Sequence, residues 1–284
     1  MNQMIPWESS ITEVQKDALS TYGVNQEDII RSYSYEEMIY LLLFGKKPSK
    51  TEATILRAVI LSHCSHGITG QSTLAVRMAV DCGSPFLNAA LGGFLVGSGR
   101  FHQGSLEATM RELQMAHHSG NVRNYVQERI GRKERISGYG HRFHTYDPRA
   151  RVLMELCDAH SFIGLYVNIA RQIDSLLKEL KGVHMNIEAA GGSMLLDLGF
   201  PLEVAPLIIL VGRGPMLAAT YMERLTAGLR PFQPIKVFDV VTEKKKEGKK
   251  NDWRENIRIS AGPRRFGRTA EEKSNAITRP TTNW

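Results

Sequence analysis

Apolar residues in this chain recur at helical spacing about ten times, and no stretch alternates apolar with polar residues as a half-buried strand would. That pattern predicts an all-α fold. Ser34-Tyr35-Glu36-Glu37 starts one helix with a capping box, Met38, Ile39, Leu41, Leu42 and Leu43 form its buried side, and Gly45 and Pro48 end it. Ser49 caps a second helix running to Ser62, with Ile55, Leu56, Val59 and Ile60 inward. Further helices are predicted over Ser72–Val80, Pro85–Gly97, Leu106–His118, Asn121–Ile130, Pro148–Ala159, Phe162–Leu180, Gly192–Leu198 and Met216–Leu225. Loops are predicted at Asn186–Gly192 and at Gly212-Arg213-Gly214-Pro215, with an apolar run from Leu202 to Leu210 leading into the second. The Ala- and Gly-rich segment Pro85–Gly97 suits a helix pair at a subunit or domain interface, because small residues let helices approach closely. Residues 1–34 are weakly patterned and read as an arm packed on a body or a neighbour.

The 284 residues can bury a sizeable core in one or two domains. The net charge of +7 is unevenly placed. Residues 243–284 hold 12 of the 36 Lys/Arg and 6 of the 29 Asp/Glu, leaving 24 and 23 for the rest. The body is therefore near neutral and the basicity belongs to a tail of low apolar content, which argues against a nucleic-acid function read from pI. Cys64, Cys82 and Cys157 show no C-x-x-C spacing and read as reduced thiols in a cytoplasmic protein, filling core space as small residues. No basic then apolar leader opens the chain, and apolar runs are interrupted by Gly, Arg or His before bilayer length, so no membrane partner is expected.

One loop stands apart. Gly138-Tyr139-Gly140-His141-Arg142-Phe143-His144-Thr145-Tyr146-Asp147-Pro148-Arg149 carries two glycines, two imidazoles, two guanidinium groups and a proline, and Arg132-Lys133-Glu134-Arg135 precedes it. Such a basic and restricted loop suits an anionic ligand; a solvated surface connector is the alternative. His63 and His66 are three apart, which permits metal ligation, but no paired cluster of matching spacing accompanies them, so no metal is expected. Arginines spread through the chain favour carboxylates or phosphates, which guanidinium binds through two parallel hydrogen bonds.

Six ordered segments between about residues 35 and 231 resemble citrate synthase and its relatives, including citryl-CoA lyase and the synthase-like module of ATP-citrate lyase. They are His63-Cys64-Ser65-His66-Gly67, Gly99-Arg100-Phe101-His102-Gln103-Gly104, Gly138-Tyr139-Gly140-His141-Arg142 through Asp147-Pro148-Arg149, Asn186-Ile187-Glu188, Gly212-Arg213-Gly214-Pro215 and Leu229-Arg230-Pro231. The third is the most specific. The resemblance implies a large helical domain from residues 1–104 and 206–242 and a small helical domain from 105–205 around an active-site cleft, followed by the basic tail at 243–284.

It also implies roles. Arg149, Arg213 and Arg230 would hold the carboxylates of oxaloacetate or a citrate-like acid, the last of them supplied by the other subunit of a homodimer or dimer of dimers. His66 and His141 would bind the same acid, with His141 on its keto or hydroxyl oxygen. His102 would hydrogen-bond the thioester carbonyl of acetyl-CoA or citryl-CoA, and Glu188 would be the general base on the methyl group. Ile136, Gly138, Tyr139 and Gly140 would present backbone to the CoA adenine, with Arg132, Lys133 or Arg135 facing its phosphates. Three departures from the family pattern stand out: Glu188 for Asp, Thr220 for His, and Gln103-Gly104-Ser105 for a Gly-Gly-Ala-like turn. They would retune the substrate or mark a paralogue of reduced activity. The chain begins close to the core, as short lyase-like chains do, so citryl-CoA cleavage is expected ahead of citrate or 2-methylcitrate synthesis.

Overall fold

The computed structural model describes residues 8–99, 102, 104–142 and 144–228. Arg230 and the basic tail lie outside them.

Residues 12–25 form a three-stranded antiparallel sheet instead of an unpatterned arm: β1 (Thr12–Gln15), β2 (Ala18–Thr21) and β3 (Val24–Asn25), in that order. Thr12 pairs with Thr21 and Gln15 with Ala18. Most of these side chains are exposed, so the strands carry none of the apolar alternation by which a half-buried strand is recognised.

Among the described residues the remaining regular elements are helices joined by loops. The sheet leads into α1 (Gln26–Ser32), α2 (Tyr35–Phe44), α3 (Lys50–Ser62), α4 (Gln71–Asp81) and α5 (Phe86–Gly97). Then come α6 (Gly104–His118), α7 (Val122–Gly131), α8 (Pro148–Ala159), α9 (Leu165–Lys181), α10 (Ile187–Asp197) and α11 (Ala205–Thr226). Both predicted capping boxes form. Glu37 accepts from the Ser34 N–H at 2.9 Å, and Glu52 from the Ser49 N–H at 2.7 Å.

Helix α10 is the centre of the core. Ile187, Ala189, Ala190, Met194 and Leu195 are all buried, against Val59 of α3, Leu106 and Met110 of α6 and Ile173 of α9. A helix enclosed on every side shows no amphipathic stripe, which hides its boundaries in the sequence. Its first turn lies where a loop over 186–192 was expected, because Asn186 caps it: the Asn186 side chain accepts from the Glu188 N–H at 2.9 Å. Glu188 therefore sits on a rigid first turn.

Helix α11 corrects a second expectation. It runs unbroken through Gly212-Arg213-Gly214-Pro215. Proline forfeits one backbone donor and so reads as a breaker, but packing along the helix overrides that local cost. Gly212 is fixed by the same packing: a Cβ there would stand 2.7 Å from the Ile60 carbonyl oxygen of α3. With its preceding turn, α11 is long and apolar enough to cross a bilayer by length and composition, contrary to the interrupted runs read from the sequence. It is also the helix that carries buried Arg213 and Arg224, the latter paired with Asp81 of α4.

A smaller cluster of Val76, Val80, Ala89 and Leu217 joins α4, α5 and α11. The small-residue side of α5 thus meets a helix of its own chain. Leu74, Met78, Leu87, Leu91, Leu95 and Met222 remain exposed on these three helices. Cys157 is buried and its thiol is pushed up to about 11 by burial, whereas Cys82 lies exposed at the end of α4 and is no core residue. Replacing Gly212 by Ala will force α3 and α11 apart and cost about 2 kcal/mol, measured as a lowered denaturation midpoint at unchanged slope.

Candidate active site

The loop that begins at Gly138 is stitched to the segment preceding α10. The Asn186 N–H donates to the Gly138 carbonyl at 2.9 Å, the Gly140 N–H to the His184 carbonyl at 2.7 Å, and Asn186 Nδ2 to the Gly140 carbonyl at 2.9 Å. Between the glycines, Tyr139 turns into the core, where its hydroxyl donates to the Ala170 carbonyl at 3.0 Å. Gly138 has φ +88°, and a Cβ there would stand 2.5 Å from Thr109 Cγ2 and 2.9 Å from Ala189 Cβ. No other residue lets the loop lie this close to α6 and α10.

The loop ends on Asp147, whose carboxylate is almost wholly buried and accepts four hydrogen bonds. Oδ1 receives the Arg149 N–H at 3.0 Å and Arg149 Nε at 2.9 Å; Oδ2 receives Arg149 Nη2 at 2.8 Å and the Ile187 N–H at 3.1 Å. One side chain thereby caps α8, orients Arg149 and ties the starts of α8 and α10 together. Burial alone would raise the Asp147 carboxyl, but the bonds and charge of Arg149 outweigh it and hold it below the usual range.

These elements enclose a cleft of about 370 Å³. His66, His102, Gly138, Gly140, His141, Arg149, Glu188 and Arg213 line it together with His63, Ser105, Arg135, Arg142, Asn186, Ile187 and Ile209. Six side chains singled out in five motifs thus meet in one concave surface. A second groove, about 400 Å³, is lined by Ile130, Lys133, Glu134, Arg135, Ile136, Tyr139, Gly140, Leu177, Lys181 and Val183. Arg135 and Gly140 border both. Of the residues read as CoA contacts, Lys133, Ile136, Tyr139 and Gly140 fall on the second groove. Arg132 borders neither; it is exposed, 3.4 Å from Glu128.

The electrostatics of the cleft favour an anion. Arg213 is buried, and its Nε and Nη1 have no hydrogen-bond partner among the described residues. Burial pushes the His66 imidazole down to about 4, helped by Arg213 and Arg149. Burial and Arg213 likewise lower His102, and burial lowers His141 against the pull of Asp147. All three rings are neutral hydrogen-bonding groups near pH 7. His102 Nε2 lies 3.1 Å from the Ser72 hydroxyl, leaving its other nitrogen for a ligand. His141 Nδ1 accepts from the His144 N–H at 3.2 Å, and its Nε2 lies 3.5 Å from Arg149 Nη2. His63 is buried with Nδ1 2.9 Å from the Val59 carbonyl, as a structural histidine would be, and burial takes it down to about 4. Burial raises the Glu188 carboxyl above the usual range, opposed only in part by its own N–H, Arg149 and the Ser105 hydroxyl at 3.2 Å.

Ser72, Ser105 and Asp147 were not assigned parts from the sequence. Asp147 had a signal, since an Asp before Pro-Arg at a helix start is a capping pattern. Ser105 stood out only as part of a departure from the family turn and Ser72 not at all, because their partners lie 83 and 30 residues away.

The profile described as "Citrate synthase, C-terminal domain" matches residues 43–234. This chain belongs to the citrate synthase family. Within it, the citrate/2-methylcitrate synthase of Bacillus subtilis (strain 168) is 28% identical over 211 residues, 72% of this chain and 56% of the relative. The chain spans about half the length of the synthases it matches. Among solved family structures, citryl-CoA lyase from Hydrogenobacter thermophilus superposes with a TM-score of 0.77 at 26% identity, covering 88% of this chain and 99% of that one. ATP citrate lyase from Methanothrix soehngenii, solved with citrate and coenzyme A, gives a TM-score of 0.77 at 20% identity over 87% of this chain and 43% of that one, a likeness of fold.

Two opposite pH dependences follow. The Asp147 carboxyl is depressed in the folded protein, so its stabilisation is present above the usual carboxylate range and lost as pH falls through its folded value. Asp147→Asn will therefore cost about 3 kcal/mol at pH 7, with the difference closing in acid, followed by denaturation at several pH values. The Glu188 carboxyl is raised, so its ionisation destabilises the fold above the usual glutamate range. Glu188→Gln will melt higher than wild type at pH 7, and that gain will vanish in acid.

Proposed function

We propose that this chain catalyses cleavage of citryl-CoA to acetyl-CoA and oxaloacetate, with the reverse condensation open to the same site. The observation that carries this reading is the convergence of His66, His102, His141, Arg149, Arg213 and Glu188 on one cleft. The likeness to the Hydrogenobacter lyase over nearly all of that chain supports the cleaving direction.

Arg213, with two buried nitrogens lacking partners, and Arg149, held edge-on by Asp147, would grip the carboxylates of the acid. His66 is a neutral donor to the same acid. His141 takes the proton of the tertiary hydroxyl as the C–C bond breaks and the hydroxyl carbon becomes the keto carbon of oxaloacetate. The bonding electrons move onto the thioester, whose oxygen is stabilised by an N–H of neutral His102. Glu188, whose carboxyl burial makes hold its proton more firmly than an ordinary glutamate, delivers that proton to the terminal carbon and leaves acetyl-CoA. The thioester is not cleaved. In the condensing direction Glu188 becomes the base. The CoA adenine would lie in the groove of Ile130, Ile136, Leu177 and Val183, with Lys133, Arg135 and Lys181 at its phosphates.

Condensation of acetyl-CoA or a longer acyl-CoA with oxaloacetate is the second reading, favoured by the synthase relatives. The domain assignment fits either: a small domain of 105–205 against a large one of 1–104 and 206–242, enclosing the cleft. We assign the exposed apolar side chains of α4, α5 and α11 to a homodimer interface, across which Arg230 would reach the partner's site.

The test is oxaloacetate release from citryl-CoA, run beside condensation with acetyl-CoA and propionyl-CoA. Glu188→Ala should lose at least about 100-fold in kcat, with a smaller change in KM. Wild type with no turnover in either direction would sink the reading; wild type as inactive as Glu188→Ala, with Glu188→Asp active, would make the chain a non-catalytic paralogue.

A further inference from the structure

Two departures from the family pattern, at positions 105 and 188, meet in space. The Ser105 hydroxyl lies 3.2 Å from Glu188 Oε1 and 2.6 Å from the backbone carbonyl of His102. It owns one proton and faces two acceptors. When Glu188 is a carboxylate, the O–H can turn to it, giving a charged acceptor its donor. When Glu188 is protonated, the carboxyl O–H can donate to Ser105 Oγ while Ser105 donates to the carbonyl. Either state of Glu188 then has a partner, in a place where burial penalises an unpaired group.

We infer that Ser105 is a positioning residue for Glu188: its hydroxyl rotates between the carboxylate and the His102 carbonyl as Glu188 releases and takes back a proton. Ser105 keeps its own proton throughout, and no covalent bond to it forms or breaks. This inference rests on the proposed role of Glu188 as proton carrier. It also gives the departures a common reason. An aspartate at 188 would withdraw the carboxylate by roughly 1.5 Å, beyond reach of the hydroxyl. An alanine at 105 would leave the longer glutamate with no side-chain donor at that oxygen.

The experiment is a ¹³C NMR titration of the glutamate carboxyls in the full chain, with Glu188 assigned by its absence in Glu188→Gln, for wild type, Ser105→Ala and Ser105→Thr. Loss of the donor to the anion should move the Glu188 midpoint to higher pH in Ser105→Ala, while Ser105→Thr, which keeps the hydroxyl, titrates near wild type. In turnover, kcat of Ser105→Ala in the condensing direction should fall about tenfold on the acidic limb, which shifts to higher pH, with KM little changed. Should Ser105→Ala not melt cooperatively, Ser105→Cys, nearly isosteric with a weak donor, takes its place with the same expected shift. A midpoint that coincides with wild type in the variant lacking the hydroxyl overturns the inference, however slow that variant is. If wild type turns over no CoA thioester, the proposed function falls while the titration still decides whether Ser105 and Glu188 are coupled.

Discussion

The buried carboxylate of Asp147 is the interaction on which the cleft depends. A charge taken out of water must be compensated nearby, and here four donors do so from three places: the Arg149 backbone and side chain, and the Ile187 backbone. The requirement works as a geometric constraint. It sets the start of α8, the plane of the Arg149 guanidinium and the approach of α10, whose next residue is Glu188. Removing the charge would loosen the Arg149 guanidinium and the first turn that carries Glu188 together, although Asp147 need touch no ligand.

Around that anchor the charges are deliberately unequal. Asp147 is satisfied and stays ionised, whereas Glu188, one residue beyond the Ile187 N–H, is raised by burial. The histidines are kept neutral by burial and by the arginines beside them. Two carboxyl groups with opposite shifts in one site are a familiar way of dividing structural from acid–base duties. Neutral imidazoles suit hydrogen bonding to oxygen atoms, and leave the positive charge on guanidinium groups, which do not lose it near neutral pH.

Much of the helical frame was legible because local chemistry and tertiary packing agree at Ser34 and Ser49, where capping boxes mark helix starts. The candidate site was legible because its residues fall in short ordered motifs. What escaped shares a physical cause: the deciding contact is distant in sequence. Helix α10 is buried all round, so its period is silent, and only Asn186 announces its start. Helix α11 survives Pro215 because packing over its length outweighs one lost backbone bond. The small sheet is solvated and so unpatterned. Ser72 and Ser105 acquire meaning only when the fold brings them to His102 and Glu188.

The unpaired N–H groups of Arg213 have a consequence for the whole chain. Guanidinium nitrogens buried without hydrogen-bond partners among the described residues are a cost the native state carries and the unfolded chain does not. Any dianion that settles there binds only the native form, and mass action then raises the unfolding free energy by about 2.7 kcal/mol at a hundredfold excess over Kd. For a protein whose margin is of the order of 5–15 kcal/mol, that is a sizeable share. Under the proposed function, the folded population of this chain would be tied to the supply of the acid it binds, even when no bond is being made or broken.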